Sequence, residues 1–179
     1  MNLLNLTLHT FPKLQQDIEL ILTKWRCFKV VFTCDIIKMF RQILLDPCDC
    51  DWLRLVYDFG EGLKHYHLCT VTQGTVPAPF QSLRVLRKIA EGVRKLYTRL
   101  LKVFKKSSYV DDFFVEADMI KKLLSLRDKL ITALKSAKIE LSKWSSNDHQ
   151  VLLNLLDIER NDKAVNIIDV TSTLGLKCN

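Results

Sequence analysis

Residues 101–117 read Leu-Lys-Val-Phe-Lys-Lys-Ser-Ser-Tyr-Val-Asp-Asp-Phe-Phe-Val-Glu-Ala. The apolar and aromatic flanks predict two short strands, 101–107 and 113–117, with Tyr109-Val110-Asp111-Asp112 at the bend between them. Upstream, the β-branched and aromatic run 28–34, Phe-Lys-Val-Val-Phe-Thr-Cys, predicts a buried strand ending at Asp35. A long helix is expected from Pro77 or Pro79, with Leu83, Leu86, Ala90, Val93, Tyr97 and Leu100 on one stripe and Gly92 weakening its middle. After the bend, Asp118 is placed to cap a helix whose buried face carries Ile120, Leu123, Leu124, Leu130, Ile131 and Leu134. Residues 139–144 return as a strand.

An inserted hairpin, 52–58 and 63–70, surrounds Phe59-Gly60-Glu61-Gly62. With it set apart, the order from 28 to 144 is β-α-β-β-α-β. That order predicts an α+β domain with a split βαβ, ferredoxin-like sheet and helices on one face. In this topology the first and third strands lie side by side and antiparallel. Asp35 and Asp111-Asp112, some 76 positions apart, should therefore meet. Outside this core, a helix is expected over 12–25, with Pro12 at its first position and Leu14, Ile18, Ile21, Leu22 and Trp25 on one face. A final strand is expected over 171–178, and 152–169 carries no clear pattern.

Composition sets the bounds. At 179 residues, with 48% of them hydrophobic, the chain can bury a real core. Its formal charge of +7 favours a polyanionic partner. Six cysteines are scattered, and Cys48-x-Cys50 without a second pair is a poor zinc signature, so reduced thiols in an intracellular protein are expected. The N-terminal stretch has neither a basic start nor an unbroken apolar run, and no membrane span is predicted. His65 and His67 alternate on one strand face with no third ligand suggested, and are read as structural.

Three carboxylates gathered at a sheet end should raise one another's pKa unless a cation neutralises them. Such oxygen ligands suit Mg²⁺, and two ions about 3.5–4 Å apart would clamp the attacking and leaving oxygens of a phosphoryl transfer. The plainer alternative makes Asp111-Asp112 an ordinary turn and Asp35 a cap for the short helix after it. The two motifs together, at sites the topology makes adjacent, favour the metal reading.

The motifs then resemble a known family. Phe32-Thr33-Cys34-Asp35-Ile36-Ile37-Lys38-Met39-Phe40-Arg41-Gln42-Ile43, Thr70-Val71-Thr72-Gln73-Gly74-Thr75-Val76-Pro77-Ala78-Pro79-Phe80 and Tyr109-Val110-Asp111-Asp112 resemble, in order, three motifs of long-terminal-repeat retrotransposon reverse transcriptases of the BEL/Pao type. The stretches Ile139-Glu140-Leu141-Ser142-Lys143-Trp144-Ser145-Ser146-Asn147 and Thr173-Leu174-Gly175-Leu176-Lys177-Cys178-Asn179 resemble the segments that follow. Gln73 departs from the BEL/Pao pattern, which has an aromatic there, and is closer to retroviral enzymes.

The resemblance implies an RNA-directed DNA polymerase palm over 28–43 and 77–179, with partial fingers in 1–27 and 44–76. It implies that Asp35 and Asp111 ligate two Mg²⁺ ions, with Mn²⁺ as a substitute, and that Asp112 is a more peripheral carboxylate. Phe40 would exclude a ribose 2′-hydroxyl, although core packing is the ordinary role of a helical Phe. Gln73, Gly74 and Tyr109 would line the nucleotide pocket, with Gly74 allowing close backbone approach. Lys143 would protonate pyrophosphate, weighed equally against a solvated strand lysine, and Leu174, Gly175 and Leu176 would belong to the primer grip. Implied partners are template–primer RNA or DNA, deoxynucleotides, and the fingers, thumb and RNase H parts of a larger polyprotein in a cytoplasmic retrotransposon particle. The expectation is thus a polyprotein fragment. The competing expectation is an inert remnant that at most binds nucleic acid. An RNA-recognition module is disfavoured, because Phe28-Lys29-Val30-Val31-Phe32 lacks the glycines of that pattern.

Overall fold

A four-stranded antiparallel sheet organises the larger part of the sequence in this computed structural model, which describes residues 3–94, 97–155, 171–173 and 176–178. The chain divides into two units, 1–14 with 38–86, and 15–37 with 87–179. In the second, strands β1 (Val30–Ile36), β4 (Ser108–Tyr109), β5 (Asp112–Ala117) and β6 (Leu141–Ser146) run in the order β4-β5-β1-β6. The first and third strands of the expected order are therefore neighbours, and β1 pairs β5 antiparallel from Val30 opposite Ala117 to Asp35 opposite Asp112.

Both faces of this sheet are buried, which corrects the expectation of helices on one face. Side chains alternate along a strand, so Phe113 and Phe114 point to opposite sides. Phe113 meets Phe104 of helix α4 (Thr98–Lys106) edge to face at 5.5 Å. Phe114 meets Trp25 of helix α2 (Ile18–Arg26) at 6.0 Å on the other side. There Lys24 also pairs with Glu116. Helix α5 (Ile120–Ser136) packs against β5, β1 and α4, and buries Leu123, Leu126, Leu130 and Leu134.

Several boundaries differ from the sequence expectation. Residues 101–106 are the end of a helix, with Ser107 at its C-cap, not a strand: Leu100, Val103 and Phe104 fall at helical spacing and are buried, leaving Ser108–Tyr109 as the strand. The long helix stops at Gly92 as α3 (Ala78–Gly92), so Leu100 belongs to the next helix. Asp118 caps nothing, since Met119 holds the N-cap position without a side-chain bond. The helix expected over 12–25 starts only at Ile18, and the last strand of the sheet runs 141–146 rather than 139–144.

The first unit contains α1 (Leu3–Thr7), 3₁₀ turns at Met39–Gln42 and Pro47–Leu53, and the hairpin of β2 (Arg54–Asp58) and β3 (Leu63–His67). Asp58 Oδ1 accepts from the amides of Gly60 and Gly62, which occupy positive φ in the hairpin turn. Its small core joins Ile43, Val71 and Ala78 with the partly buried Phe40, Leu45 and Val85. His67 Nδ1 lies 3.3 Å from Asp51, which accords with a structural role. Residues 171–173 and 176–178 form a two-stranded pair, β7 and β8.

Phe32 is fully buried and packs on Trp144 at 5.4 Å, whereas Val56 is 51% exposed on the hairpin. Phe32→Ala is expected to cost about 3–5 kcal/mol and Val56→Thr less than about 0.5 kcal/mol, as measured by urea unfolding.

Candidate active site

The end of β1 and the start of β5 form one local structure. Tyr109 pairs with Asp112 across a two-residue turn, Val110–Asp111. Val110 takes φ 53°, a conformation that a β-branched residue rarely adopts and that costs on the order of 1–3 kcal/mol. The Ile36 amide donates to the Asp111 carbonyl at 2.9 Å, tying the turn to the end of β1. Asp35 and Asp112 thus lie opposite each other on one sheet face, with Asp111 in the adjoining turn. Asp35 does not cap the following 3₁₀ turn, whose N-cap is Lys38.

Strand β6 brings the fourth group. Thr33 lies opposite Ser145, but Asp35 lies opposite Ser142, so Lys143 and Trp144 together face the single residue Cys34. This is a β-bulge, a device that re-aims a side chain. Lys143 takes φ 51° and its Nζ reaches Asp35 Oδ2 at 2.7 Å, while Trp144 stays against Phe32. No glycine marks the bulge in Leu-Ser-Lys-Trp-Ser-Ser, so the pattern of 141–146 does not announce it.

The electrostatics follow from burial and crowding. Burial first, then Asp111 and Asp35, push the Asp112 carboxyl up to about 7, against the opposing pull of Lys143. Asp111 is raised by burial and by Asp35, while its own backbone hydrogen bond and Lys143 oppose the rise. The hydrogen bond to Asp35 raises Lys143 and so holds it as an ammonium. Behind them the buried Cys34 thiol is pushed well above its ordinary value, by burial and then by Asp112 and Asp35. Sequence reasoning had not singled out Cys34, whose apolar neighbours give no sign of it.

Hard carboxylate oxygens with raised pKa values are the donor chemistry of a divalent cation site. Among the described residues, however, no three His, Cys, Asp or Glu side chains stand grouped to hold a metal ion. Lys143 occupies Asp35 instead.

The other expected site residues are dispersed. Phe40, Gln73 and Gly74 belong to the first unit. Phe40 packs against the core around Ile43, the bland role weighed for it. Gln73 and Gly74 line a cavity of about 240 Å³ together with Leu4, Trp52, Arg54 and Thr72. Gly74 has φ 88°, and a Cβ there would meet nothing within 4 Å, so the demand on it is torsional. Leu174 and Gly175 lie outside the described residues; Leu176 is in β8 opposite Thr173.

No protein-family profile matches the chain, and no curated protein matches it. Among the described residues, no helix is long and apolar enough to cross a membrane.

A carboxyl raised in the folded state keeps a proton that the unfolded chain releases near pH 4. Asp112 therefore costs the fold stability as pH rises from about 4 to about 7. Asp112→Asn should melt above the parent at pH 8, with the difference vanishing toward pH 4 in circular-dichroism melts.

Proposed function

We propose that this chain is the palm, with part of the fingers, of a reverse transcriptase. In this reading the four-stranded sheet is a ferredoxin-like catalytic sheet that extends a primer with deoxynucleotides on an RNA or DNA template. The carrying observation is the register that sets Asp35 opposite Asp112, with Asp111 beside them and Lys143 aimed at the cluster. Five ordered motifs resembling those of retrotransposon enzymes support it.

Asp35 and Asp111 would hold two Mg²⁺ ions, with Asp112 peripheral; when bound, the ions would stabilise charge on the attacking and leaving oxygens. The chain's own groups do the rest. The paired strands fix the carboxylates in place, so that little reorganisation is needed when substrate arrives. Lys143 is held protonated by Asp35, which makes it a loaded proton donor. Neutralising Asp35 removes the hydrogen bond that raises Lys143 and eases release of its proton to a pyrophosphate oxygen. By the resemblance alone, nucleotide contacts fall to Phe40, Gln73, Gly74 and Tyr109, and primer contacts to Leu174-Gly175-Leu176.

Primer extension on an RNA template with Mg²⁺ tests the reading, using this chain and the same chain joined to complete fingers and thumb. The joined form should extend the primer, and Asp111→Asn should slow it by at least ~10³-fold, about 4 kcal/mol of barrier. Failure of both forms, or activity that survives Asp111→Asn, would leave the inert remnant as the better account.

A further inference from the structure

Helix α4 is polarised. Its buried side carries Leu100, Val103 and Phe104. Its exposed side carries Arg99, Lys102, Lys105 and Lys106, with no acidic residue anywhere in the helix. At 3.6 residues per turn these four cations fall within an arc of about 120°. None of them has an ion-pair partner among the described residues.

Helix electrostatics do not account for this face. Lys105 and Lys106 suit the negative C-terminal end, but Arg99 stands in the first turn, at the positive end. Lys102 and Lys106, at i and i+4, repel each other. The α5 helix shows how a solvated face is usually built: Lys121, Lys122 and Lys135 are spread over its length among Ser125, Asp128 and Thr132. Lys129, also on α5, lies over the Tyr97 ring at 5.4 Å.

We propose that the exposed face of α4 binds the phosphate backbone of a nucleic acid, on the side of the sheet away from the carboxylates. Phe113 faces α4, whereas Asp112 and Asp35 point to the opposite face, so this surface is separate from the candidate active site. From Arg99 to Lys106 the helix rises about 10 Å, which spans about three phosphates of one strand in a duplex. A membrane surface fits less well, because the apolar residues that would enter it are already buried. The inference stands without the polymerase reading, since it uses no group of the carboxylate cluster.

The test is fluorescence anisotropy of a labelled RNA–DNA hybrid between about 50 and 200 mM salt. The triple variant R99Q/K102Q/K106Q should flatten the slope of log K against log salt by about 2–3 and weaken binding at least tenfold. K121Q/K122Q/K135Q, which removes the same charge from α5, should change the slope by less than about 1. Primer extension by the parent is read beside its anisotropy, so absence of polymerase activity and absence of this surface are separate outcomes. Melting curves confirm that each variant folds, and a variant with Ala in place of Gln repeats the measurement. An unchanged slope in the α4 variant overturns the proposal, as does an equal change in both triple variants. So does a parent that binds phosphatidylserine vesicles but not the hybrid.

Discussion

The pairing of Val30–Ile36 with Asp112–Ala117 sets the register on which the rest of the second unit depends. A slip of one residue would turn Phe32, Cys34 and Ile36 to the face that now carries Asp35, and would bury the carboxylate among Phe113, Val115 and the helices. Burial on both sides forbids this. Phe113 is locked against Phe104 and Phe114 against Trp25, so each face has a shape that accepts only its own side chains. The apolar packing therefore determines where two acidic side chains meet, although neither acid contributes to that packing.

Burying them, and then crowding them together, has an electrostatic cost, legible in the raised carboxyls of Asp111 and Asp112. Three local features hold the arrangement: the turn with Val110 at positive φ, the Ile36 amide bonded to Asp111, and the bulge that turns Lys143 to Asp35. Two of these place a non-glycine residue in the left-handed region, where backbone strain is tolerated only because neighbouring strands over-determine it. Lys38, Lys138 and Asn154 take positive φ as well, so such strain is not confined to the charged cluster.

Positive charge is arranged differently. Lys143 is drawn into the carboxylate cluster, whereas the α4 cations gather on the opposite side of the sheet, exposed and without acidic neighbours in their helix. Two groups of charge are thus separated by one layer of strands.

The sequence by itself determined the α+β class, a buried strand carrying Asp35 (running Val30–Ile36 rather than 28–34), the hairpin bend at Tyr109–Asp112 and their meeting, because long apolar runs and strand order carry that information over any distance. It misled at 101–107, where apolar and aromatic flanks read as a strand; Leu100, Val103 and Phe104 are instead buried at helical spacing, with Phe104 against Phe113. It also hid the second covered face, since α2 could not be known to reach Phe114. Only the tertiary structure decided the bulge at Lys143 and the raised pKa of Asp112. Those depend on which strand edge stands beside β1 and how much water it excludes. That is a property of packing between segments more than a hundred residues apart, not of any local pattern.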